Sequence, residues 1–136
     1  MKIVADTMVW VSYCIREDGF FHHVIERACR RRVRIVTSHY ILDELTKTLL
    51  ENLKESRRFA SIARKKVIRL ARTVELPELI PAFLTADPKD NPIIQTALSG
   101  KVDYLVTADT EILELGKVQD VEIITPAELN EMLGPE

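Results

Sequence analysis

The sequence holds no run near the ~20 uninterrupted apolar residues that a membrane-spanning helix requires. Its opening, Met1-Lys2-Ile3-Val4-Ala5-Asp6, meets an acid too early for a secretory leader. A cytoplasmic protein is expected. Only two cysteines occur, Cys14 and Cys29; two thiols could pair, but without an export signal they are expected to be reduced residues packed as small hydrophobes. There is no Gly-rich phosphate loop and no GxSxG elbow, which sets aside P-loop nucleotide chemistry and a serine nucleophile. No internal repeat or low-complexity linker interrupts the chain. No His or Cys stands at metal-ligand spacing: His22 and His23 are adjacent and so face different ways, and with His39 they are expected at the surface or in packing. A net charge of -2 argues against a protein that coats nucleic acid indiscriminately.

What is present suffices for a packed core. With 136 residues, 46% of them hydrophobic, one domain over residues 1–136 is expected. Ile3-Val4-Ala5 is a continuous apolar run of the kind a parallel sheet covered on both faces requires, so Lys2 to Asp6 reads as a strand that ends on an acid. Helices are expected over Thr7 to Ile15 and Phe20 to Arg32, the latter with Phe20, Val24 and Ala28 inward, and a second strand over Val33 to Thr37. From Ser38 to about Leu53, Ile41, Leu42, Leu45, Leu49 and Leu53 form one stripe, and Glu44 lies at its edge, where it can be half buried and still reach a cleft. A further amphipathic helix, roughly Ser56 to Arg72, carries Ile62, Val67, Leu70 and Ala71 inward. Glu75 to Pro88, with three prolines, is the least regular stretch; Val74 to Leu76 or Ala82 to Leu84 could each hold a turn or a short strand.

The second half is punctuated more clearly. Asn91-Pro92 fits a helix start, with Asn as cap and Pro at the first helical position, and Gly100 fits its stop. Tyr104 to Thr107 reads as a strand, Asp109 to Leu115 as a short helix and Val121 to Ile124 as another strand. Thr125-Pro126-Ala127-Glu128 combines a capping box with Pro at the first helical position and opens a helix to about Leu133. Strands alternating with helices imply an open parallel sheet with helices on both faces, a three-layer α/β/α arrangement. Sites in such sheets lie beyond the carboxyl ends of the strands, where the strand order reverses.

Four acids fall at that edge if the first strand is central: Asp6, Glu44, Asp90 and Asp109. Crowded carboxylates repel, and at least one must hold its proton unless a divalent cation neutralises them. The ligand set is all oxygen, which favours Mg2+ or Mn2+ over Zn2+. Such a site suits phosphodiester hydrolysis by water, with no side-chain nucleophile. Each acid also has a plainer role open to it. Asp90 and Asp109 could cap helices, and Glu44 could be a half-exposed helix acid. Asp6, directly after an apolar strand, needs a partner.

Ile3-Val4-Ala5-Asp6-Thr7, Leu42-Asp43-Glu44-Leu45, Asp87-Pro88-Lys89-Asp90-Asn91, Tyr104-Leu105-Val106-Thr107-Ala108-Asp109 and Ile123-Ile124-Thr125-Pro126 together resemble the PIN domain, nearest to the toxins of toxin-antitoxin systems similar to VapC. The resemblance covers nearly the whole chain. It implies a parallel sheet flanked by helices, metal-dependent endoribonuclease cleavage of single-stranded RNA, metal binding by Asp6, Glu44, Asp90 and Asp109, a homodimer, and a small antitoxin that blocks the cleft. Two positions depart from the pattern: Met8 stands where the family commonly has Asn, and Glu111 where the subgroup often has Asp. Thr7 and Ser38 fit places where the family often sets a hydroxyl near metal or phosphate, or else they cap helices.

An RNA backbone is gripped through Lys and Arg. The candidates are the Arg30 to Arg34 cluster and the outer face of the Ser56 to Arg72 helix, and after Thr73 the only basic residues are Lys89, Lys101 and Lys117. Trp10, Phe20 and Phe21 could stack bases, though core or interface positions suit them better. Two competing readings are a phospho-receiver domain, whose paired acids and late Lys are missing here, and a PIN module that binds RNA or a protein partner without cleaving.

Overall fold

The computed structural model describes residues 1–83 and 87–136. Strand β1 (Lys2–Ala5) is followed by α1 (Thr7–Ile15), α2 (Phe20–Arg30), β2 (Arg34–Ser38), α3 (His39–Lys47), α4 (Arg57–Leu70) and β3 (Arg72–Val74). Then come α5 (Asp90–Ser99), β4 (Tyr104–Val106), α6 (Thr110–Leu113), β5 (Lys117–Val118), β6 (Val121–Ile124) and α7 (Pro126–Met132). The sheet order is β3-β2-β1-β4-β6-β5, parallel throughout except for the antiparallel β5–β6 pair. β1 is central, and the chain winds outward from it in both directions. Its Ile3, Val4 and Ala5 are each 0% exposed, although neighbouring strand residues point to opposite faces. Helices therefore cover both faces, as the unbroken apolar run requires.

The caps explain where the helices begin. Ser38 Oγ accepts from the Ile41 N–H at 3.4 Å, and Ser56 Oγ from the Phe59 N–H at 3.0 Å. At α7 the expected capping box is complete: Glu128 N–H donates to Thr125 Oγ1, and Thr125 N–H to Glu128 Oε1. Each such cap contributes about 1 kcal/mol. Beyond Lys47 the third helix widens into a π-helical turn over Thr48–Asn52, closed by the Leu53 N–H on the Thr48 carbonyl at 3.0 Å.

Several expectations are corrected. Asn91 does not cap α5, because Asp90 and Asn91 are already inside the helix; the Asn91 side chain instead accepts from the Phe83 N–H at 3.0 Å, fastening the preceding loop. Gly100 does end α5, as its C-cap residue, but at φ −79, and the left-handed residue is Lys101 at φ 51. Glycine serves here for another reason: a Cβ at position 100 would lie 2.7 Å from Val36 Cγ1, so its absence lets α5 seat on β2. Ile62 and Leu53 are 48% and 42% exposed, whereas Ala60, Ala63 and Val67 are the buried residues of α4. Phe20 is likewise exposed, while Trp10 is fully buried in the core. The two short strands β3 and β5 were not expected as such; β3 starts at Arg72, where the preceding helix was expected to end. The turn or strand considered at Ala82 to Leu84 falls partly outside the described residues.

Cys14 and Cys29 are free thiols, the first buried. His22 packs flat on Tyr13 with ring centroids 4.3 Å apart, and Tyr13 donates to Glu26 at 3.1 Å. Arg27 and Arg31 are structural. Arg27, 3% exposed, donates to the Asn130 carbonyl and Oδ1 and to the Gly134 carbonyl, while Arg31 donates to the carbonyls of Leu133 and Pro135. These bonds satisfy the carbonyls that the end of α7 leaves open. No described helix is long and apolar enough to cross a membrane.

Candidate active site at the carboxyl edge of the sheet

The strand order reverses between β1 and β4, and the acids gather beyond the ends of these two strands. Asp6 continues the ladder for one residue, its N–H donating to the Val106 carbonyl at 2.9 Å. Its own carbonyl accepts from Val9 and Trp10 to start α1, so the carboxylate makes no capping bond. That carboxylate turns instead toward β4, where Thr107 Oγ1 donates to Oδ2 at 2.7 Å. The Asp109 N–H donates in turn to Thr107 Oγ1 at 3.0 Å, which links the two strand ends in a relay. Burial raises the pKa of Asp6 above its ordinary value; the bonds from Thr107 and the Thr7 N–H pull it back, and the charge of Asp109 adds to the rise.

Asp90 is the first residue of α5 and is 6% exposed. Its pKa is pushed up to about 6, first by burial and then by the charges of Asp109, Asp87, Asp6 and Glu111. Its Oδ2 is buried without a hydrogen-bond partner among the described residues, as is Oγ1 of Thr7. Unpaired buried oxygens of this kind cost about 1–3 kcal/mol each, more when charged. Glu44 sits half buried on α3. One turn before it, Tyr40 donates to the Lys89 carbonyl at 3.1 Å, and burial, a hydrogen bond to Glu44 and the charges of Glu44, Asp87 and Asp90 raise its pKa.

These residues line one pocket of about 410 Å³, with Asp6, Glu44, Asp90 and Asp109 all in its wall. Five carboxylates, counting Asp87, face a single basic residue, Lys89. Asp109 is exposed and also caps α6, its Oδ1 accepting from the Glu111 N–H at 2.9 Å. Glu111 is exposed and is not in the pocket wall, although its charge reaches Asp90. Ser38 stands outside the wall as well; it caps α3 and bonds Thr96 Oγ1 at 2.8 Å. Met8, 53% exposed, forms part of the rim.

The acids offer only oxygen donors, and Asp90 Oδ2 and Thr7 Oγ1 lack partners among the described residues, which suits a hard divalent cation. As they stand, no three His, Cys, Asp or Glu side chains among the described residues lie close enough together to hold a metal ion.

Sequence reasoning missed Tyr40, Asp87, Lys89 and Thr107. Tyr40 precedes Glu44 by four residues, and Asp87 precedes Asp90 by three within the Asp87-Pro88-Lys89-Asp90 segment. Those spacings were available signals. The role of Thr107 depends on which strand lies beside β1, which only the fold supplies. The Arg30 to Arg34 cluster, expected to contact substrate, leads into the amino end of β2 and so lies at the opposite edge of the sheet from the acids.

Residues 2–111 match the PIN domain family, and the chain belongs to that family. PIN domains are in general nucleases that use divalent metal ions. No curated protein matches the chain. Among solved structures, it is similar to a chain in the crystal structure of VapBC2 from Rickettsia felis bound to a DNA fragment from their promoter. That likeness has a TM-score of 0.66 at 12% identity and covers 92% of this chain and 98% of the other. At such low identity what is shared is the fold, an α/β sandwich with a mostly parallel sheet.

Proposed function

We propose that this PIN domain is a metal-dependent endoribonuclease that hydrolyses phosphodiester bonds in single-stranded RNA, the toxin of a type II toxin-antitoxin pair. The observation that carries the reading is the pocket: five carboxylates at the β1/β4 switch point, with Asp90 Oδ2 buried and unpaired. Asp6, Glu44, Asp90 and Asp109 would hold Mg2+ or Mn2+. When bound, the ion would supply Lewis acidity toward the phosphate and toward the attacking water. Thr107 keeps the Asp6 carboxylate aimed into the pocket, and Tyr40 ties α3 to the Lys89 turn. Lys89 meets the negative charge of the scissile phosphate. No side chain is required as nucleophile: water attacks phosphorus, the bond to the 3'-oxygen breaks and that oxygen leaves as a hydroxyl, so the products carry 5'-phosphates and 3'-hydroxyls.

A small antitoxin protein, presenting a basic side chain to the acidic pocket, and a homodimer are part of this proposal; the VapBC2 neighbour is itself a two-protein complex. A second reading, a PIN module that binds RNA or a protein partner without cleaving, draws on Met8 at the rim and on the wide spacing of the acids. The deciding assay is cleavage of a mixed single-stranded RNA with Mn2+, with and without chelator, beside Asp6→Asn and Asp90→Asn. Chelator-sensitive products with 5'-phosphates, reduced at least ~100-fold by either substitution, are expected. Activity that persists in either variant removes the metal mechanism.

A further inference from the structure

The opposite edge of the sheet carries a second charged cavity. It has a volume of about 430 Å³, and its wall includes Lys2, Arg34 and Arg72, at the amino ends of β1, β2 and β3, with no carboxylate among them. The strand register brings these cations together. Lys2 pairs directly with Arg34, and Arg72 pairs with Val36, two residues beyond Arg34 on the same face. All three side chains therefore leave one face of three adjacent strands. Like charges directly across a strand pair destabilise a sheet. Lys2 Nζ finds the Gly100 carbonyl at 3.1 Å, but neither Arg34 nor Arg72 has an ion pair among the described residues. The adjoining turns add Arg32 and Lys101 and the last turn of α4 adds Arg69, while the one acid bonded at this edge among the described residues, Asp103, is engaged by the Lys2 backbone N–H at 2.8 Å.

We infer that this edge is a second binding site, distinct from the acidic pocket, for the phosphodiester backbone of single-stranded RNA. Arginine forks bind phosphate oxygens in pairs, and a ligand carrying several phosphates in series neutralises several of these cations at once. The inference rests on the reading of RNA as substrate. Four residue-to-residue steps along β1 lead from Lys2 to Asp6, about 13 Å at the rise of a strand. An RNA held at the cationic edge thus reaches the acids only if it runs on around the domain. The site accordingly favours long substrates over short ones and supplies affinity away from the repelling carboxylates.

The test uses the whole chain and the double variant Arg34→Gln/Arg72→Gln, both exposed positions, with folding checked by thermal melting. Binding of a fluorescent RNA of about 30 nucleotides is followed by anisotropy in chelator across a salt series. The double variant is expected to bind about tenfold more weakly, with a salt slope shallower by about 1.4, the loss of two single-strand phosphate contacts. With Mn2+, KM for the long RNA rises while cleavage of an RNA of about six nucleotides is unchanged. Unaltered binding and salt slope overturn the site. Displacement of RNA by equimolar inorganic phosphate marks a free-phosphate site and overturns the backbone assignment, and equal displacement by polyglutamate marks an acidic-protein surface and does the same. If the wild-type chain cleaves nothing yet loses RNA binding in the double variant, the nuclease reading fails and the cationic site stands.

Discussion

Asp90→Asn removes a charge that the fold holds at a cost. The Asp90 carboxyl has its pKa raised from 3.8 to about 6, by burial foremost and then by Asp109, Asp87, Asp6 and Glu111. A difference of about two units is worth at most about 3 kcal/mol, and the solvent-open pocket reduces this to about 1–2 kcal/mol. The unfolded chain gives up this proton near the ordinary value, whereas the native protein keeps it until about pH 6. Between those limits the native state binds more protons, so stability falls as pH rises through the window. Without divalent metal near neutral pH, the Asn variant should therefore be more stable than the parent by about 1–2 kcal/mol, raising Tm by about 3–8 °C. At about pH 3.5 the two should melt within roughly 0.5 kcal/mol of each other. Differential scanning calorimetry over this range, in chelator, reads both quantities. An Asn variant no more stable than the parent at neutral pH would refute the account of Asp90 as a strained charge.

Two further substitutions test the frame around the site. Thr107→Val deletes the donor to Asp6 Oδ2 and the acceptor for the Asp109 N–H while keeping the side-chain volume; a loss of about 2–3 kcal/mol is expected by urea denaturation. Arg27→Met keeps the buried stem but strands Asn130 and the Gly134 carbonyl; hydrogen exchange in α7 should quicken, with stability lower by about 2–4 kcal/mol, and protection equal to the parent's would show that α7 is held by its apolar face alone.

Most of the architecture could be read from the chain because its signals are local. Ile3-Val4-Ala5 and Val121 to Ile124 are apolar or β-branched runs, and Ser38, Ser56 and Thr125 announce their helices by capping chemistry. β5 escaped notice, and the turn or short strand considered at Val74 to Leu76 touches β3 only at Val74, because two or three residues such as Arg72-Thr73-Val74 carry no periodicity and only pairing with a neighbour makes them strands. The phase of α4 was misread for a packing reason. Bulky Ile62 looks like a core residue, but α4 packs against α3, and the positions it buries are Ala60, Ala63 and Val67. At the site, Asp6 stood out as an acid directly after an apolar strand and Asp90 as an acid directly before a helix start. Tyr40 and Lys89 did not, because their place in the pocket depends on how the turn before α5 meets α3.

The margins of the sheet have a consequence of their own. β3 spans three residues and β5 only two, and each begins with a cation, Arg72 or Lys117. Neither flank offers the long bare row of amides and carbonyls on which a foreign strand could zip up. Edge-to-edge pairing of strands between copies is thereby disfavoured.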